Sequence, residues 1–145
     1  GSPAVPQTAQ ANFKDKGVRV VAYQSDMRRH APDAQLAAVT HHWGGHYTKV
    51  AQSVIDGRWA AKPTWGGMKD GLVRLEAIAD TVPAEVRKRL ESRRAAIVAG
   101  TLPPFAAPLV DNTGQPRLAA GALDDAAIAQ MNWFVQGVVG SVPKP

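Results

Sequence analysis

Two hydrophobic periods take turns along the chain. Ser2-Pro3 reads as a cap followed by proline in a first helical turn, and "AVPQTAQANFKDKG" after it predicts a helix that Gly17 closes. "VRVVAY" (18–23) is a β-branched run of the kind that forms a buried strand, ending in the polar group "QSDM". "AQLAAVTHH" (34–42) predicts a second strand, Gly44-Gly45 a turn, and residues 46–57 a helix with Tyr47, Val50 and Val54 on one face and Gly57 as its stop. Glycines at 66, 67 and 71 suggest paired extended segments with a bend over 64–75. A helix over 82–100 starts at Pro83 and ends at Gly100. Asp111-Asn112-Thr113-Gly114 is a hairpin-type turn, and Asp124 caps a last helix that continues into "WFVQGVVG" (133–140). Helix, strand, polar loop, strand and helix in this order predict an α/β fold, a parallel or mixed sheet with helices on its faces.

Composition narrows the picture. At 145 residues and 45% hydrophobic, the chain has the length of one compact domain. There is no run of 18 apolar residues to span a membrane, and the absence of cysteine excludes disulfides, thiolate metal sites and cysteine nucleophiles. A net charge of +5 raises the question of an anionic partner. The basic residues are densest in "EVRKRLESRR" (85–94), where Glu85 and Glu91 are interleaved at helical spacings, so a solvated helix face is expected and nucleic acid is not.

Candidate chemistry gathers in "VTHHWGGHYTK" (39–49), which holds His41, His42 and His46 around Trp43. His42 and His46 have the i, i+4 spacing of zinc helices, but two glycines lie between them and no glutamate completes an H-E-x-x-H arrangement. If His41 and His42 end a strand, they point to opposite faces. A metal-binding or catalytic module built on His41, His42 and His46 stays as the alternative to a ligand-contact surface. Ser25 and Asp26 lack the elbow of a nucleophilic triad, Asp124-Asp125 fits helix capping, and no phosphate-cradling glycine loop is present. In open α/β sheets ligands bind beyond the carboxyl ends of strands, and "VVAYQSDM" and "LAAVTHHW" place amide, carboxylate, imidazole and indole groups there.

Read in order, "GSPAVPQTAQANFKDKGVRVVAYQSDM", "APDAQLAAVTHHWGGHYTKVAQSVIDGRW", "WGGMKDGLVRL", "VPAEVRKRLESRRAAIVAGTLPPFAAPLVDNTGQPR" and "MNWFVQGVVGSVP" resemble the basic membrane protein family of ABC-transporter substrate-binding lipoproteins. The resemblance covers essentially the whole chain and rests on the number, order and spacing of these stretches. It implies one Rossmann-like lobe of a type I periplasmic-binding-protein fold, incomplete relative to the family. Residues 1–145 would be the C-terminal portion, mostly the C-terminal lobe with crossover segments to an N-terminal lobe.

The family binds nucleosides or nucleobases in an interlobe cleft, so the resemblance implies a purine-type ligand, no catalysis, no cofactor and no metal. It implies an ABC transporter permease as partner and a periplasmic or cell-surface location, through a lipid anchor that this chain lacks. A homo-oligomer of the chain, covering surface the other lobe would bury, is a further partner expectation. Where the family strand ends G-x-D, with the aspartate on sugar hydroxyls, this chain has Gln24, which suits a nucleobase edge better than a ribose diol. Trp43 matches the tryptophan of the family's N-W-G stretch, and Lys69 in "GGMKDG" matches a family lysine. The expected ligand-binding set is Gln24, Asp26, His41, His42, Trp43 and Lys69.

Overall fold

The computed structural model describes residues 2–142. They form two compact units, 1–98 and 99–145, where length alone suggested one domain.

In 1–98, helix α1 (Ala4–Ala11) is followed by the single turn α2 (Phe13–Lys16). Gly17 stops it at φ 65°, a left-handed conformation that glycine adopts without a Cβ penalty. The cap is Pro3 rather than the expected Ser2: the Pro3 carbonyl accepts the first helical bond, from Gln7 N–H at 2.9 Å, while the Ser2 hydroxyl accepts the Ala4 N–H at 3.3 Å from one residue further out. Strand β1 (Val20–Gln24) pairs in parallel with β2 (Gln35–His41), and β2 pairs antiparallel with β3 (Val73–Glu76). The sheet is therefore mixed, in the order β1-β2-β3.

Parallel strands need a crossover, and here it is a series of turns over residues 25–34. Gln35 pins it from inside: fully buried, its Oε1 accepts the Met27 N–H at 2.9 Å and its Nε2 donates to Asp26 Oδ1 at 2.8 Å. Around this polar clasp the core is built of small side chains. Ala9, Ala31 and Ala34 pack with Phe13, Val18 and Val20, while Ala22 and Ala38 pack with Met27. Alanines in the strands let the crossover lie close to the sheet, so there is no room there for an added methylene.

Helix α3 (Gly44–Ile55) starts at the two glycines that were expected to form a turn before it. Tyr47 N–H donates to Trp43 O at 2.9 Å, which places Gly44 and Gly45 in the first turn, where N–H groups have no intrahelical acceptor in any sequence. Over 64–75 only one strand forms. Residues 64–67 are irregular, 68–71 turn at Gly71 (φ 72°), and β3 follows. Helix α4 (Ala84–Ala99) buries no residue, and its Arg94 pairs with Glu91 at 2.6 Å, the solvated face expected from its charges.

In 99–145, β4 (Leu109–Val110) and β5 (Pro116–Leu118) form the expected hairpin around the Asp111–Gly114 turn. The last helix, α5 (Asp125–Ala129), is capped as expected, Asp124 Oδ1 accepting the Ala127 N–H at 2.8 Å. It stops far short of 139. The residues beyond it pair with the hairpin instead: Asn112 N–H donates to Phe134 O and Gln136 N–H to Val110 O, each at 2.9 Å. The tail of the resemblance stretch, Pro143, and Gly1 lie outside the described residues.

Candidate functional site

Strand alternation sorts the polar residues at the sheet's carboxyl end onto two faces. Tyr23, Val39 and His41 share one, and Thr40 and His42 take the other with Arg74 and Glu76. His41 and His42 thus point opposite ways, as the strand reading requires.

On the first face aromatic rings form a row. His41 meets the Tyr23 edge with centroids 5.4 Å apart and stacks on Trp43 at 6.1 Å; Trp43 stacks in turn on Tyr47 at 6.1 Å. Tyr47 is four residues after Trp43, so the first turn of α3 brings the two rings together. His46 meets the Trp43 edge at 6.0 Å. Trp43 remains 43% exposed and Tyr23 64% exposed, so the row is a surface and not a core.

Gln24, beside Thr40 in the ladder, has φ 74°, a conformation that costs a side-chain-bearing residue about 1 kcal/mol or more. Its amide makes no side-chain hydrogen bond among the described residues. It lines an apolar groove of about 360 Å³ along β1, together with Val5, Pro6, Tyr23 and Met27.

Asp26 lies elsewhere than the strand-end reading expects. The chain turns after Gln24, and the Asp26 carboxylate is taken up by the crossover, accepting Arg28 Nε at 2.8 Å, Arg28 N–H at 3.0 Å and Gln35 Nε2 at 2.8 Å. The Arg28 side chain foremost holds its pKa down to about 2.

On the second face His42 Nε2 lies 3.0 Å from Glu76 Oε2, which also accepts the Thr40 hydroxyl at 2.8 Å. The Thr40 hydroxyl first, then His42, keep the Glu76 carboxyl below its ordinary range. His42 borders a cavity of about 400 Å³ with Gly44, Gly45, Lys49, Trp65 and Arg74. Lys69 sits in the 68–71 turn next to Asp70, which lines that cavity; Lys69 itself is exposed and does not.

The structure therefore joins His41 and Trp43, sets Gln24 on the neighbouring strand, and separates Asp26, His42 and Lys69 from them. The three histidines do not converge, and no group of three His, Cys, Asp or Glu side chains able to hold a metal occurs among the described residues. Sequence reasoning missed Tyr23, Tyr47, Lys49 and Glu76. Tyr47 was within reach of the i, i+4 rule once the helix start is placed at Gly44, whereas Glu76 is 34 residues from His42 and joins it only through the β2–β3 pairing.

No protein-family model matches the chain. It is 38% identical over 131 residues to a purine-binding protein of Brucella abortus, covering 90% of this chain and 37% of that protein. It is 27% identical over 142 residues to a protein of Haloferax volcanii named as an ABC transporter glucose-binding protein, covering 98% of this chain and 33% of that one. The chain thus spans about a third of the length of the curated relatives it matches, both named for binding a solute. Among solved structures it shares its fold with a transcriptional activator of the comK gene from Bacillus halodurans, at TM-score 0.56 and 21% identity, over 68% of this chain and 35% of that one. Among the described residues no helix is long and apolar enough to cross a membrane.

Proposed function

We propose that this chain is the C-terminal portion of the substrate-binding component of an ABC importer of the basic membrane protein type, one wall of an interlobe cleft that takes a purine. The observation that carries this reading is the exposed ring row Tyr23–His41–Trp43–Tyr47 at the carboxyl ends of two parallel strands, with Gln24, whose amide makes no side-chain hydrogen bond among the described residues, following Tyr23 in β1. A flat heterocycle stacks on an exposed indole, and base–aromatic stacking contributes about 1–3 kcal/mol. An amide offers one donor and one acceptor, matching the adjacent acceptor and donor on an adenine edge. It cannot give a ribose diol the two charge-assisted bonds of a carboxylate, so a nucleobase is favoured over a nucleoside.

The similarity to a purine-binding protein over 90% of the chain supports the ligand class. In this reading Gln24, His41 and Trp43 contact the ligand, Lys69 closes from the 68–71 turn, and Asp26 holds the crossover that fixes Gln24. The permease and a periplasmic or cell-surface location follow from the importer role. A monosaccharide is the second reading, because sugars also stack on tryptophan and the Haloferax relative is named for glucose.

Calorimetry on the two-lobed protein with adenine, guanine, adenosine, inosine and glucose separates these. Bases binding more tightly than their nucleosides, with a loss on Gln24→Ala, supports the proposal. Tighter nucleoside binding overturns the role given to Gln24, and glucose binding without purine binding overturns the ligand class.

A further inference from the structure

We infer that Glu76 and Thr40 fix His42 as a hydrogen-bond acceptor toward the cavity beside it, which selects a neutral, planar heterocycle carrying an N–H donor. This rests on the solute-binding reading above and concerns the face of the sheet's carboxyl end opposite the ring row.

The tautomer follows from which atoms hold protons. The Thr40 hydroxyl gives its only proton to Glu76 Oε2 at 2.8 Å, so toward His42 Nε2, 3.2 Å away, Thr40 Oγ1 can only accept. Glu76 Oε2, 3.0 Å from the same Nε2, belongs to an ionised carboxylate with no proton to give. Both neighbours of Nε2 are acceptors, so Nε2 carries the hydrogen. In the neutral ring Nδ1 then keeps its lone pair, and it has no partner among the described residues. A carboxylate that orients an imidazole from behind is the arrangement that sets a histidine's tautomer in metal and catalytic sites.

The cavity fits a small neutral ligand. About 400 Å³ lies within the range of small-molecule sites. Of the lining groups, Lys49 on α3 and Arg74 on β3 are cationic, Asp70 in the turn is anionic, and His46 and Trp65 supply rings. Glu76 is outside the lining but lies 3.8 Å from Arg74 and offsets that cation, which leaves one cation and one anion and little net charge around the cavity. Gly44 and Gly45 also border it, and a Cβ on either would meet nothing within 4 Å. Neither has the positive φ that demands glycine. The fold therefore does not need their lack of a side chain, and this part of the cavity wall is bare backbone.

The tautomer is read on the 145-residue chain by ¹⁵N NMR of the histidine rings in mildly alkaline buffer. Essentially complete Nε2–H protonation of His42, lost in Glu76→Ala and kept in Glu76→Gln, is expected. A ring protonated at Nδ1, or one unaffected by Glu76→Ala, overturns the positioning role.

Selectivity is read by calorimetry on the two-lobed protein with adenine, with purine, which lacks the 6-amino group, and with 9-methyladenine, which lacks the ring N–H. One of the two analogues is expected to bind about tenfold more weakly than adenine, the cost of leaving a buried acceptor unpaired. That discrimination should vanish in His42→Ala and in Glu76→Ala and survive in Glu76→Gln. Equal binding of all three, or discrimination that persists in His42→Ala, overturns the inference while leaving the purine reading intact. If no purine binds at all, the purine reading fails, and the NMR result alone decides whether Glu76 sets the ring.

Discussion

In residues 99–145 the buried Asp111 carboxylate, 2% exposed, collects the Thr113 hydroxyl at 2.7 Å, the Thr113 and Gln115 N–H groups at 2.9 and 3.0 Å, and Arg117 Nε at 2.7 Å. Arg117 in turn lies over the Trp133 ring at 5.6 Å. At the carboxyl ends of β1 and β2 the opposite holds. Among the described residues the Gln24 amide makes no side-chain hydrogen bond and sits on a costly backbone conformation, and the rings of Trp43 and Tyr23, which meet His41, stay exposed to solvent. Polar groups whose bonds are all made within the protein hold a fold together, and an unbonded amide beside a row of exposed rings leaves surface open to a ligand. Asp26 belongs with Asp111 by this measure, although only Ser25 separates it from Gln24 in the sequence.

Four changes press on this contrast, in falling order of effect. Asp111→Ala leaves four donors facing a void, so cleavage within 99–145 in limited proteolysis should quicken by more than about tenfold, because local opening governs cleavage. An unchanged cleavage rate means the hairpin does not depend on its carboxylate.

Trp43→Ala should do the reverse, sparing stability and weakening purine binding to the two-lobed protein by about tenfold to a hundredfold, the range of a stacking contact. Calorimetry paired with a thermal melt checks both halves. A large fall in melting temperature would mark Trp43 as a structural residue.

Acid separates the same two classes. Asp26, held near 2 by Arg28, and Asp111, held well below the usual carboxylate range by Thr113, both have folded values depressed below the unfolded ones. Their stabilisation is therefore complete above about pH 4 and is lost as pH falls toward 2. With solvent reaching the Asp26–Arg28 pair, Asp26 accounts for about 1 kcal/mol of this. Thermal melts of Asp26→Asn between pH 2 and 5 should show a shallower acid limb than the parent chain. An identical limb would remove Asp26 from the crossover clasp.

The smallest effect is the most discriminating. Gln24→Gly relieves the φ of 74°, so the chain should be as stable or more stable by up to about 1 kcal/mol, while purine binding falls by about threefold to tenfold. A loss of stability would show that the Gln24 side chain serves the fold.

Much of the architecture is readable from residue types acting locally. Gly17, Gly57 and Gly100 end helices, Asp124 caps one, and the β-branched runs before "QSDM" and "HHW" are strands, because each signal depends on a few neighbouring residues. Where long-range pairing decides, the local pattern misleads. Residues 131–139 carry the apolar content of a helix, but the edge of the 109–118 hairpin offers their backbone groups partners that solvent-exposed helical turns would not replace. Gly44-Gly45 looks like a break and is a first turn, since glycine's cost is an interior cost.

The site divides in the same way. The opposed faces of His41 and His42 follow from a period of two, and the exposed Trp43 from its place after a strand. The Glu76 partner of His42 and the diversion of Asp26 into the crossover need the sheet register and the buried Gln35, and no short window contains either.

The central claim is that the carboxyl end of this sheet is half of a purine site, and adenine titrated calorimetrically into the two-lobed protein, with and without Trp43→Ala, tests it most directly. The account predicts saturable binding of adenine, tighter than adenosine, weakened at least about tenfold by the substitution. Adenine binding that ignores Trp43, or no adenine binding where glucose binds, would contradict it.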